Sequence, residues 1–153
     1  MYQIALGHLY SLILNGDGSV WCSGSLVKVP KGMDGHFVKV IASGGVAVSA
    51  GYSHGLVLKQ DGSIWGAGRN SRGQIGDGSK DKRDSFTFAQ KIPGAITVAA
   101  GGSHSMVLTR EGRVWTAGSN LFGQMGKSKE NIYFVYYGRE GTVFMLYSFD
   151  WSQ

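Results

Sequence analysis

Residues 49–76 read SAGYSHGLVLKQDGSIWGAGRNSRGQIG, and residues 99–126 read AAGGSHSMVLTREGRVWTAGSNLFGQMG. The two stretches align without a gap at an offset of 50 residues. Gly51, His54, Leu58, Gly62, Trp65, Gly68, Asn70, Gly73, Gln74 and Gly76 each meet an identical residue in the later copy. An earlier copy, ALGHLYSLILNGDGSVWCSGS at residues 5–25, aligns at an offset of 44. It keeps Gly7, Leu14, Gly18 and Trp21, places Tyr10 where the others have His, and lacks the Asn-x-x-Gly-Gln-x-Gly segment. A fixed period of this length marks a repeat architecture.

Within each copy the residues point to β structure. The apolar run at 56–58 and the run at 63–66 flank Gln60-Asp61-Gly62, with equivalents at Asp17-Gly18 and Glu111-Gly112. An Asp-Gly pair between β-favouring runs predicts a tight hairpin, because both turn positions tolerate positive φ. Small-residue strands are expected ahead of the hairpins at 46–50 and 96–100, and further β-prone stretches at 37–41 and 86–89. Four short strands per period is the sequence form of a propeller blade. Composition agrees. Twenty-five glycines in 153 residues disfavour a helical fold, and two prolines without a triplet glycine period exclude collagen. The fold class expected is all-β, with about three four-stranded blades in an incomplete ring.

These motifs resemble the regulator of chromosome condensation (RCC1) repeat family. The resemblance rests on Gly51-x-x-His54, Gly62-x-x-Trp65 and Gly68-x-Asn70-x-x-Gly73-Gln74-x-Gly76. It rests equally on Gly101-x-x-His104, Gly112-x-x-Trp115 and Gly118-x-Asn120-x-x-Gly123-Gln124-x-Gly126. It places RCC1-like repeats over residues 1–126, at about 5–48, 49–98 and 99–126 onward. Residues 127–153 form a divergent, aromatic-rich segment. There, 132–137 and 143–147 read as a hairpin turning at 138–141, either a partial blade or an unrelated C-terminus. The resemblance implies propeller blades of a larger ring. It also implies two kinds of function: a protein-interaction module, or guanine-nucleotide exchange on a Ran-like small GTPase, with chromatin as a further partner.

Candidate chemistry is sparse. Gly51-Tyr52-Ser53-His54-Gly55 matches the nucleophile elbow of α/β hydrolases, but that motif needs a helix after it, and here a strand pattern follows. Gly126-Lys127-Ser128 ends like a phosphate-binding loop, yet position 121 is Leu where the motif requires Gly. His54 and His104 share one repeat position without carboxylates or Cys at ligand spacing; they read as structural histidines bonded to backbone groups of adjacent strands. Trp21, Trp65 and Trp115 read as packing between neighbouring blades. No catalytic residue, cofactor or metal is therefore expected, and the chain reads as non-enzymatic. Binding is expected instead on the connection at 69–84, where Arg69, Arg72, Lys80, Lys82 and Arg83 outnumber three aspartates.

The net charge of +5 is compatible with acidic partners but is spread along the chain. Cys22 is the sole cysteine, so no intrachain disulfide or cysteine-built zinc site exists. The apolar start lacks a basic leader region and belongs to the first repeat, and no run is long enough to span a membrane. The expected compartment is cytoplasm or nucleus. Exposed end faces of an open arc lead to an expectation of self-association if the chain is complete.

Overall fold

The computed structural model describes residues 2–126 and 140–147. They form twelve strands in three four-stranded antiparallel sheets, each a simple up-and-down meander. Blade 1 comprises β1 (Gln3–Leu6), β2 (Tyr10–Leu14), β3 (Val20–Gly24) and β4 (Val38–Ile41). Blade 2 comprises β5 (Gly45–Ala50), β6 (His54–Lys59), β7 (Ser63–Gly68) and β8 (Arg83–Lys91). Blade 3 comprises β9 (Ala95–Ala100), β10 (His104–Thr109), β11 (Val114–Ser119) and β12 (Glu140–Tyr147). No helix occurs among the described residues, and their three sheets do not close into a ring.

The hairpins between the second and third strands turn at the expected Asp17-Gly18, Asp61-Gly62 and Glu111-Gly112 pairs. Among the described residues no non-glycine residue has positive φ, and in these turns the left-handed position is held by Gly18, Gly62 and Gly112, at 79°, 81° and 76°. The Gly62 N–H closes the turn on the Lys59 carbonyl at 2.9 Å. The aspartate stays right-handed because its side chain has local work. Asp61 Oδ1 accepts the Ser63 N–H at 3.0 Å and the Ser63 hydroxyl at 2.6 Å, and Asp17 does the same for Ser19. Only glycine fits the left-handed position that completes such a turn.

The strands at 38–41 and 83–91 close the outer edge of the blade before them. β4 pairs with β3, and β8 pairs with β7. β12 likewise pairs with β11, from Val114↔Tyr147 to Ser119↔Glu140. Glu140 and Gly141 are therefore strand residues rather than part of a turn, and β12 is the outer strand of blade 3. The expected partner strand at 132–137 lies outside the described residues.

Strand alternation gives each blade two apolar faces, and stacking buries them. Between blades 1 and 2, Leu12, Leu14, Val20 and Cys22 meet Val57 and Ala67, with Trp65 packed at the margin. Between blades 2 and 3, Leu56, Leu58 and Ile64 meet Val98, Val107 and Ala117, with Trp115 at the margin. Trp65 and Trp115 thus lie against the preceding blade. In blades 1 and 2 the tryptophan indole N–H donates to the serine two residues earlier, at 3.1 Å for Trp21 and 3.0 Å for Trp65, and Lys59 lies over the Trp65 ring at 5.2 Å. Burial inside the first interface pushes the Cys22 thiol up to about 11, which suppresses its reactivity.

Candidate interaction face

Because each blade is a meander, its first and third connections lie at one end and its second at the other. Backbone bonds lock the first connections together: His8 N–H to the Tyr52 carbonyl at 3.4 Å, and Tyr52 N–H to the Gly101 carbonyl at 3.2 Å. The His8 and Tyr52 rings stack at 4.4 Å and 12°. The third connections share this end, since the Ser53 carbonyl accepts the Arg69 N–H and the Ser103 carbonyl accepts the Ser119 N–H, both at 2.8 Å.

The connection from β7 to β8 dominates this face, and the Asn-x-x-Gly-Gln-x-Gly signature builds it. Buried Asn70 accepts the Ile75 N–H through Oδ1 at 3.0 Å and donates through Nδ2 to Asp77 at 3.0 Å and to the Ser79 carbonyl at 3.1 Å. Gln74 Oε1 accepts the Arg72 N–H at 2.9 Å. Ile75 is fully buried and fills the space over Gly66, where an added Cβ would lie 2.7 Å from it. Blade 3 repeats the pattern: Asn120 Oδ1 accepts the Met125 N–H at 3.0 Å, and Gln124 Oε1 accepts the Phe122 N–H at 2.9 Å. The signature polar residues are thus internal struts of a loop.

The five expected cations fall into different positions. Arg83 is the first residue of β8 and braces the loop from within, with Nε donating to Asp77 Oδ2 at 2.6 Å and Nη2 to the Ser79 hydroxyl at 3.1 Å. Burial alone would raise the Asp77 carboxyl, but the Ser79 N–H and Arg83 outweigh it and hold it below the usual range. Lys82 pairs with Asp84 at 3.1 Å on the exposed edge, and Arg69 donates to the Ser71 hydroxyl at 2.9 Å. Arg69, Arg72, Lys80 and Lys82 are exposed. Lys28, absent from the sequence reading, joins them, because its N–H donates to the Asp84 carbonyl at 2.8 Å. Lys28, Val29, Pro30, Asp84 and Ser85 line a shallow depression of about 410 Å³ between the two connections. The signal that could have found it is positional, since residues 25–37 occupy in blade 1 the place of the cationic connection in blade 2.

The signature histidine has a different partner from the one expected. His54 is fully buried, and its Nε2 lies 2.8 Å from the Ser105 hydroxyl of blade 3, not from a strand carbonyl. Ser105 Oγ spends its own hydrogen on the Gln74 carbonyl at 2.6 Å, so His54 Nε2 carries the proton and donates. A donating imidazole cannot activate that serine as a base, so the pair is a structural link between blades. Ser53, the centre of the elbow-like motif, lies in the turn between β5 and β6, and a strand follows it. Among the described residues, no group of three or more His, Cys, Asp or Glu is placed to hold a metal ion.

Four-stranded antiparallel blades packed face to face, with every interface built from the same repeat positions, define a propeller-type repeat protein. Two family models, both described as the regulator of chromosome condensation (RCC1) repeat, match this chain, one at residues 46–74 and 95–124 and the other at 61–108. The chain belongs to the RCC1 repeat family.

No curated protein matches the sequence. Among solved structures, human WBSCR16 is similar at a TM-score of 0.78 and 22% identity, covering 96% of this chain and 39% of that one. Prp20p from Saccharomyces cerevisiae is similar at 0.77 and 21%, covering 94% and 38%. Yeast RCC1 (Prp20) bound to Kap60 is similar at 0.76 and 21%, covering 94% and 36%. The chain therefore spans less than two-fifths of each of these structures, and the likeness is one of fold.

Proposed function

We propose that this chain is a non-enzymatic protein-interaction module whose partner docks on the end of the blades that carries the 69–82 connection. The observation that carries the reading is the construction of that connection. Buried Asn70 and Gln74 and the Asp77–Arg83 pair fix its shape, so Arg69, Arg72, Lys80 and Lys82 are held out on a rigid support. Ordered loops on a rigid scaffold bind with little entropy to lose. The chemistry suits an acidic protein surface, and the cytoplasm and nucleus are the compartments the reading assigns.

The test compares partner recovery by the wild-type chain with that by a variant carrying Gln at positions 69, 72, 80 and 82. A control variant carries Gln at Lys39, Lys59 and Lys91, away from that connection. Selective loss with the first variant supports the reading; equal recovery from both refutes the assigned face.

A second reading is nucleotide exchange on a Ran-like small GTPase. It is favoured by the likeness to Prp20p, whose structure is described together with its binding properties to Gsp1p and histones. Accelerated release of a labelled guanine nucleotide by the purified chain would replace the module reading with this one.

A further inference from the structure

We propose that Ser71 is a phosphorylation site, read by an arginine-directed serine kinase, and that Arg69 holds the phosphate once it is attached. The site stands on its own geometry; only its effect on docking rests on the face proposed above.

Comparing the repeats separates what the fold needs in this connection from what it does not. Asn70, Gly73, Gln74 and Gly76 recur as Asn120, Gly123, Gln124 and Gly126, and the Asn and Gln bonds are the same in both loops. Arg69, Ser71 and Arg72 do not recur: blade 3 has Ser119, Leu121 and Phe122 in their places and still makes the loop. The fold therefore does not dictate these three residues. The Gly73 N–H closes a tight turn on the Asn70 carbonyl at 2.8 Å, which makes Ser71 and Arg72 its two central residues. Both are exposed, although blade 2 is packed on each side by another blade.

The other serines of this connection are placed differently. Ser79 Oγ donates to Asp77 at 2.9 Å and accepts from Arg83 at 3.1 Å, so its hydroxyl belongs to the bracing inside the loop. Ser85 follows Lys82 and Arg83 in sequence, an order that the same class of kinase reads in an extended chain. In the folded chain Arg83 is held by Asp77 at 2.6 Å, and Phe86, next to Ser85, is buried. Ser71 has one exposed arginine two residues before it and another directly after it. Folding thus moves the readable serine from position 85 to position 71.

The receiver of the phosphate is already in place. Arg69 Nε donates to Ser71 Oγ at 2.9 Å, which sets the guanidinium beside the oxygen that would carry the new group. In the transfer, the γ-phosphoryl group of ATP passes to Ser71 Oγ. The Oγ–P bond forms, the P–O bond to the β-phosphate breaks, ADP leaves, and the hydroxyl proton goes to the base of the kinase. The attached phosphate brings acceptor oxygens and close to two negative charges, and an adjacent guanidinium binds such a group through charge-assisted hydrogen bonds. Five cations and three aspartates leave +2 on residues 69–84. A charge of about −2 cancels that excess, so an acidic partner loses its electrostatic attraction to the connection.

The test incubates the folded wild-type chain and Arg69→Gln with a purified arginine-directed serine kinase and radiolabelled ATP, and locates the phosphate by mass spectrometry. The wild type is expected to carry it at Ser71. Modification of Ser71 is expected to slow by about tenfold in Arg69→Gln, the effect of losing one charge-assisted contact with the kinase. Longer incubation brings both chains to full modification, and phosphorus NMR then reads the second ionisation of the phosphate, which ordinarily falls at about pH 6. That ionisation is expected about half a pH unit lower in the wild type than in Arg69→Gln, because Arg69 favours the doubly charged form. Phosphate found at Ser85 with none at Ser71 overturns the proposal, as does a chain left unmodified. An undiminished rate in Arg69→Gln, or the same ionisation with and without Arg69, overturns it equally.

Discussion

Acidification singles out the histidine link between blades 2 and 3. Burial, reinforced by the neighbouring His104, pushes the His54 imidazole down to about 4 from an ordinary 6.5. The unfolded chain therefore takes up a proton before the folded one does, so stability is full above about pH 6.5 and falls as the pH drops toward 4. Between about pH 7.5 and pH 5 the linkage amounts to about 2 kcal/mol, rising to about 3 kcal/mol below pH 4. The upper part of that window belongs to histidine. The Ser63 hydroxyl and N–H hold Asp61 below the usual carboxylate range, Asp77 is held low in the same way, and such groups lose their contribution only at lower pH. Urea unfolding of the wild type and of His54→Gln at several pH values measures the difference. The variant is expected to be less stable at neutral pH but to lose much less on acidification. Burial also lowers His104, which supplies the slope that remains. Equal losses in the two chains would refute the assignment of a buried, neutral, donating His54.

Other substitutions probe the same construction. Ser105→Ala strips both the His54 N–H and the Gln74 carbonyl of their shared partner inside a sealed interface. It is expected to cost about 2 kcal/mol, read from the urea midpoint at neutral pH. Ile75→Ala empties the space over Gly66 and is expected to cost about 3 kcal/mol in the same assay. Gly76→Ala combines a φ of 79° with a Cβ 2.4 Å from the Phe144 ring. It is expected to exceed about 2 kcal/mol, whereas Gly32→Ala, at φ 84° with open space around it, should cost about 1 kcal/mol. Similar melting temperatures for the two glycine variants would contradict the packing of β12 against that loop.

The repeat made the blades legible, because spacing and residue type recur together from Gly51 to Gly76 and from Gly101 to Gly126. It also located the hairpins, although the turn type followed from a detail that propensity does not carry: Asp61 hydrogen-bonds forward to Ser63 and so stays right-handed. The partner of His54 was not legible. Ser105 is 51 positions away and belongs to another blade, and only the stacking brings it within 2.8 Å. The cationic connection was visible as composition, but its inner logic was not. Arg83 looked like one more surface cation, yet Asp77 draws it into the loop. Lys28 went unnoticed because blade 1 lacks the Asn-Gly-Gln signature, and only the bond between its N–H and the Asp84 carbonyl shows that the two connections adjoin.

The central functional claim is that partners meet the end of the blades bearing the 69–82 connection. Lysine-directed cross-linking of the chain to a captured partner, read by mass spectrometry, tests it most directly. The account predicts cross-links at Lys28, Lys80 and Lys82. Cross-links confined to Lys39, Lys59 and Lys91 would contradict it.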